Sequence, residues 1–69
     1  MFEFRIAELK VNDEFTINDG ETWYRVATVR DASHKEDRRI EAFLVNPPSG
    51  YEEQKYTLIR RKKDKVIVR

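Results

Sequence analysis

Phe15-Thr16-Ile17-Asn18-Asp19-Gly20-Glu21-Thr22-Trp23-Tyr24-Arg25-Val26-Ala27-Thr28-Val29-Arg30 carries the strongest structural signal in the chain. Phe15 to Ile17 alternates with a period of two and stops at Asn18-Asp19-Gly20. An Asp-Gly pair between strand-forming runs predicts a hairpin, because glycine accepts the positive φ that a tight turn needs. Glu21 to Arg30 then brings Thr22, Trp23, Tyr24, Val26, Thr28 and Val29, β-branched and aromatic residues with apolar groups on both faces. A strand of that kind crosses a barrel or lies in an interface. Trp23 and Tyr24 point to opposite faces of it, so one of the two is expected outside the core.

Outward from this hairpin the same pattern repeats in short pieces. Phe2-Glu3-Phe4-Arg5-Ile6 alternates, placing Phe2, Phe4 and Ile6 on one face of a strand, or leading into a first turn at Ala7-Glu8-Leu9. Asp31 to Arg39 is polar and charged. Ser33-His34-Lys35-Glu36 has capping-box spacing for one helical turn, but nothing apolar is available for a helix to bury, so a solvated loop is expected. Ile40 to Val45 returns to strand composition and ends at Asn46-Pro47-Pro48-Ser49-Gly50, a rigid turn whose prolines cannot donate ladder hydrogen bonds. Lys55 to Arg60 and Lys65 to Arg69 read as a closing strand pair around Arg61-Lys62-Lys63-Asp64. Five or six short strands with turn signals every ten residues or so predict an all-β fold: a small SH3-like antiparallel barrel with at most one short helical turn.

Sixty-nine residues allow a single domain, 1–69, and a chain this short buries only about 60% of the surface it exposes when unfolded. With no cysteine and one histidine, His34, no disulfide or zinc staple is available, so the fold relies on its core or on oligomerisation. Eight aromatics and a full set of branched aliphatics make that core feasible although 39% of residues are charged. Met1 to Arg5 carries no long apolar run, so neither a secretory leader nor a membrane span is expected, and the default location is the cytoplasm. Net charge is only +1, yet residues 1–31 hold four basic and seven acidic side chains while residues 55–69 hold seven basic and one acidic. The carboxyl end is a positive pole.

Glu8-Leu9-Lys10-Val11-Asn12-Asp13-Glu14-Phe15, followed by Gly20-Glu21-Thr22-Trp23-Tyr24-Arg25-Val26, resembles a pattern of small SH3-like barrel proteins, many of them encoded by bacteriophages. In that pattern a "leucine, lysine, apolar, glycine, aspartate" turn leads into a strand, a glycine hairpin and a "tyrosine, arginine, valine" strand. Asn12 stands where the turn glycine is usual, a departure that asparagine tolerates because it also enters the left-handed region. The resemblance spans residues 8–29 and implies the fold more than a ligand, since folds of this size host many functions.

Catalytic chemistry is not indicated. A nucleophile would have to be Ser33 or Ser49 with His34, and Ser33 adjoins His34 in a charged loop that cannot exclude water. Asp13/Glu14, Glu36/Asp37 and Glu52/Glu53 read as solvated turn residues rather than acid–base pairs or a cation site. No glycine-rich phosphate loop or dinucleotide fingerprint occurs. The expectation is therefore a binding module without cofactor or metal, not an enzyme.

The constellation that stands out is Arg60, Arg61, Lys62, Lys63 and Lys65, a basic hairpin able to meet consecutive phosphates. Tyr51, Tyr56 and Trp23 are candidates to stack on bases, with Tyr56 expected beside the hairpin, and Arg38 and Arg39 would extend the positive surface. Two structural readings compete: a solubilising tip on lysine-protected edge strands, and aromatics that simply pack. The leading expectation is binding of an anionic nucleotide ligand, either a nucleic-acid strand or, as the phage-like resemblance implies, a cyclic nucleotide signal sequestered between subunits by a counter-defence protein. The other is a protein-binding adaptor or inhibitor that presents a strand edge or its acidic amino-terminal half to a host protein.

Overall fold

The alternating residues form strands where the pattern is regular, and the chain bends where it breaks. In the computed structural model, which describes residues 1–69, the elements are β1 (Phe2–Arg5), a 3₁₀ turn (Ile6–Glu8), β2 (Glu14–Thr16), β3 (Tyr24–Asp31), β4 (Asp37–Leu44), β5 (Lys55–Arg61) and β6 (Lys65–Val68). All pairings are antiparallel, in one six-stranded sheet of order β1-β6-β2-β3-β4-β5. The all-β prediction holds. The one helical turn lies at Ile6–Glu8, and Ser33–Glu36 is a loop closed by the Asp37 amide donating to the His34 carbonyl at 3.0 Å.

Two expectations are corrected. The final two strands are not a hairpin, because both sides of β6 are already taken: Phe2 to Arg5 pairs with Val68 to Lys65 on one side, and Phe15 and Thr16 pair with Val68 and Ile67 on the other. β5 instead pairs with β4, and Lys62–Asp64 carries the chain around a corner between the two halves of the sheet. The backbone pins that corner, with the Ile6 amide donating to the Asp64 carbonyl at 2.7 Å, Ala7 to Lys62 at 3.0 Å and Lys62 to Glu36 at 2.8 Å. The barrel is likewise not closed. β1 and β5 are the two edges of the sheet and do not pair with each other.

Asp19 (φ 58°) and Gly20 (φ 89°) both sit in the left-handed region within the β2–β3 turn, but the loop between paired residues is longer than two. Side chains organise it. The Thr16 hydroxyl accepts the Gly20 amide at 3.0 Å and donates to Asn18 Oδ1 at 2.8 Å, which also accepts the Thr22 amide at 2.9 Å. Asn12 adopts φ 78° where the pattern has glycine, its amide bonded to the Val26 carbonyl at 2.9 Å.

Ile6, Leu9, Phe15, Val26, Ile40, Ala42, Val66 and Val68 form the core, with Phe4, Tyr24, Val29 and Leu58 packed against it. Apolar groups on both faces of the long strand have a simple cause. A bulge between Val26 and Thr28 inserts Ala27, so Val26 and Val29 both face inward although three positions apart. The inward ring at its start is Tyr24, stacked on Phe15 with centroids 5.6 Å apart, and Trp23 is the one outside.

Candidate functional site

Strand alternation divides the basic run. Directly opposed residues of an antiparallel pair share a face. Tyr56, Leu58 and Arg60 oppose Ala42, Ile40 and Arg38 on the core side, whereas Lys55, Thr57, Ile59 and Arg61 oppose Phe43, Glu41, Arg39 and Asp37 on the outer side. Arg60 therefore turns into the seam beside β5, a cleft it shares with Lys65, Asp64, Asp19 and Thr16. Arg61, Lys62 and Lys63 line a different groove of about 420 Å³, with Lys35 and Glu36 of the β3–β4 loop as its far wall. Lys65 is also engaged elsewhere, 3.4 Å from the Glu3 carboxylate.

Four unpaired cations, Arg61, Lys62, Lys63 and Lys35, collect at this corner. None of the seven ion pairs in the protein uses Arg60, Arg61, Lys62, Lys63 or Lys35. Arg61 and Lys63 are exposed and Lys62 is half-buried, held by backbone bonds that its side chain does not make.

The neighbouring arginines separate. Arg38 turns inward and donates from Nη1 to the carbonyls of Ile6 (2.9 Å) and Ala7 (2.7 Å), tying the 3₁₀ turn to β4 and leaving the positive surface. Arg39 stays on the outer face, opposite Arg30 on one side and Ile59 on the other.

The stacking candidates lie elsewhere. Tyr56 is not beside the basic corner: it sits opposite Ala42 at the other end of β5, five residues or about 17 Å of strand from Arg61, with its ring edge-on to Tyr24 at 5.5 Å. Trp23 has the Arg69 guanidinium 4.2 Å above its ring centroid and Gly20 against its edge, so that face is already covered. Tyr51 is exposed, but on the β4–β5 loop at that same far end.

What the sequence did not reveal is the centre of the outer face. Glu41, in the middle of β4, is buried, with its side chain only 9% exposed. Its Oε1 accepts the Thr28 hydroxyl at 2.6 Å and lies 3.7 Å from Arg30 Nε, while its Oε2 lies 3.2 Å from Lys55 Nζ and 3.6 Å from Arg39 Nη2. The Thr28 and Lys55 hydrogen bonds, in that order, outweigh the opposing effect of burial and hold the carboxyl below its ordinary value of 4.5. Glu14 is lowered likewise by Arg25 and then Arg69, at 2.8 and 2.9 Å. The only available signal was a lone acidic residue inside Ile40–Val45, and which cations would meet it depends on cross-strand register.

The outer face of β3, β4 and β5 thus presents Arg30, Arg39 and Lys55 around one carboxylate, with Ile59 beside Arg39 and Phe43 beside Lys55, and runs on to Arg61, Lys62, Lys63 and Lys35. No group of three or more His, Cys, Asp or Glu side chains converges as a metal site, and no helix is long and apolar enough to cross a membrane. Comparison with known protein families, with curated proteins and with solved structures finds no match to this chain.

Proposed function

We propose that this protein is a non-enzymatic binding module for a single nucleic-acid strand, which lies along the outer face of β3–β5 and ends in the groove between Lys62–Asp64 and the β3–β4 loop. The observation that carries this reading is the row of cations without carboxylate partners, Arg61, Lys62 and Lys63 facing Lys35, continuous with Arg39, Arg30 and Lys55. Phosphates are the ligand groups such a row recognises, through charge and counterion release rather than through sequence. The spread favours a strand over a lone nucleotide. Lys55 and Arg61 stand six residues apart on β5, about 20 Å, farther than one base is from its own phosphate. A cyclic nucleotide held between subunits, as the phage-like SH3 resemblance of residues 8–29 implies, would instead use the corner groove alone.

The test is titration of a fluorescent oligothymidylate against the native protein and an Arg61→Ala/Lys62→Ala/Lys63→Ala variant at several salt concentrations. Steep salt dependence that flattens in the variant supports the reading.

One observation favours a second reading. β5 is an edge strand with no partner on its outer side, and beside it Ile17 (48% exposed) and Leu58 line a small apolar groove with Tyr24 and Tyr56. An extended peptide of a partner protein could add there as a further strand. That mode would show weak salt dependence and survive the triple substitution.

A further inference from the structure

On the nucleic-acid reading, the oddest feature of the proposed ligand face is a carboxylate at its centre. Arg30, Arg39 and Lys55 come from three different strands, and each has Glu41 as its only ion-pair partner. Their backbone positions are not adjacent. Arg30 and Arg39 oppose each other two residues to one side of Glu41, and Lys55 opposes Phe43 two residues to the other side. Yet one cation from each strand reaches the same carboxyl group, which Thr28, directly opposite on β3, fixes at 2.6 Å. Two arginines directly opposed across a strand pair repel each other, and a shared carboxylate relieves this. The outward parts of the three cations remain open to solvent, with exposures of 66%, 47% and 53%.

We infer that Glu41 is the internal counter-anion of the ligand face: it gathers Arg30, Arg39 and Lys55 into one cluster and, by occupying the position a ligand phosphate would take, sets how tightly polyanions bind. This inference rests on the nucleic-acid reading for its ligand, but its sign is its own. A residue that merely serves the fold would leave affinity unchanged when its charge is removed and its shape kept. A counter-anion would instead release three cations to the ligand.

The experiment compares Glu41→Gln with the native protein and with Glu21→Gln, a loop residue in no ion pair, so that both variants change net charge equally. Glutamine keeps the size and can still accept from Thr28, and a thermal melt by circular dichroism checks that each variant is folded. A 20-nucleotide fluorescent oligothymidylate is titrated at two salt concentrations. Glu41→Gln is expected to bind about tenfold more tightly and with a steeper salt slope, by about 0.7 for each cation that gains a phosphate, while Glu21→Gln stays within about twofold of the native protein. Equal affinity of the two variants overturns the inference, and so does weaker binding by Glu41→Gln, which would make Glu41 a support for the site rather than a competitor. Binding by Glu41→Gln alone would uphold it while refuting the reading of the native protein. Binding by none of the three proteins would sink both.

Discussion

Replacing Arg61, Lys62 and Lys63 together by alanine tests the proposed interface most directly, and its magnitude can be worked from the corner. Four side chains there, these three and Lys35, hold no carboxylate. If each neutralises one phosphate of a single strand, the logarithm of affinity falls against the logarithm of salt with a slope of about −2.8. Raising salt from about 50 to about 200 mM then weakens binding about 50-fold. With Lys35 alone left, the slope drops to about −0.7 and the same change in salt costs only about threefold. Any of Arg30, Arg39 and Lys55 that also reach phosphates steepen both curves equally, so a slope difference of about 2 is the diagnostic quantity. Fluorescence anisotropy with a labelled oligothymidylate reads it. The fold should survive, because the corner is held by the Lys62 amide and carbonyl and not by these side chains. Slopes that agree within about 0.5 between the two proteins would refute the reasoning, since phosphate contacts cannot be removed without releasing fewer counterions.

Four further outcomes are expected. Arg38→Ala removes two hydrogen bonds that tie the 3₁₀ turn to β4, leaving the Ile6 carbonyl only the Leu9 amide, and should destabilise the fold by about 1–2 kcal/mol in urea titration while leaving the salt slope unchanged. Ile40→Ala, at a site with no solvent exposure, should cost about 2–5 kcal/mol, a large part of the roughly 3–10 kcal/mol expected for a chain of this length, and so lower the urea midpoint sharply. Gly20→Ala has room for its methyl group, 3.8 Å from Trp23, so its cost is the left-handed backbone, about 1–2 kcal/mol, and Asn should be tolerated better there than Ala. Both Glu14 and Glu41 have carboxyls lowered below 4.5 in the fold. Their stabilising contribution is therefore present above that value and is lost as pH falls through the lower, folded one, and Glu14→Gln with Glu41→Gln should flatten the acid limb of a pH–stability curve.

Much of the strand pattern was legible in the chain. Periods of two in Phe2-Glu3-Phe4-Arg5 and in Lys55 to Arg60, Asp19-Gly20 at a turn, and the proline pair after Asn46 each act within a few residues, and local sterics and side-chain alternation suffice to place them. The same alternation separated Trp23 from Tyr24, and the structure decided that Tyr24 is the one against the core. The basic run was visible as well, but not its division. Whether Arg60 and Arg61 face the same way is a matter of strand parity, and whether Arg38 reaches solvent depends on the Ile6 and Ala7 carbonyls brought to it from 32 and 31 residues away.

Strand partnership lies beyond local reading altogether. Nothing in Lys65-Val66-Ile67-Val68 says that it will lie between β1 and β2 rather than fold back on β5, because each strand satisfies its own period equally well in either pairing. That choice belongs to the whole core, which closes only when Val66 and Val68 join Phe15 and Ile6. The bulge at Ala27 and the meeting of Thr28, Arg30, Arg39 and Lys55 at Glu41 follow from register across three strands, which the sequence lists one strand at a time and only the tertiary structure brings together.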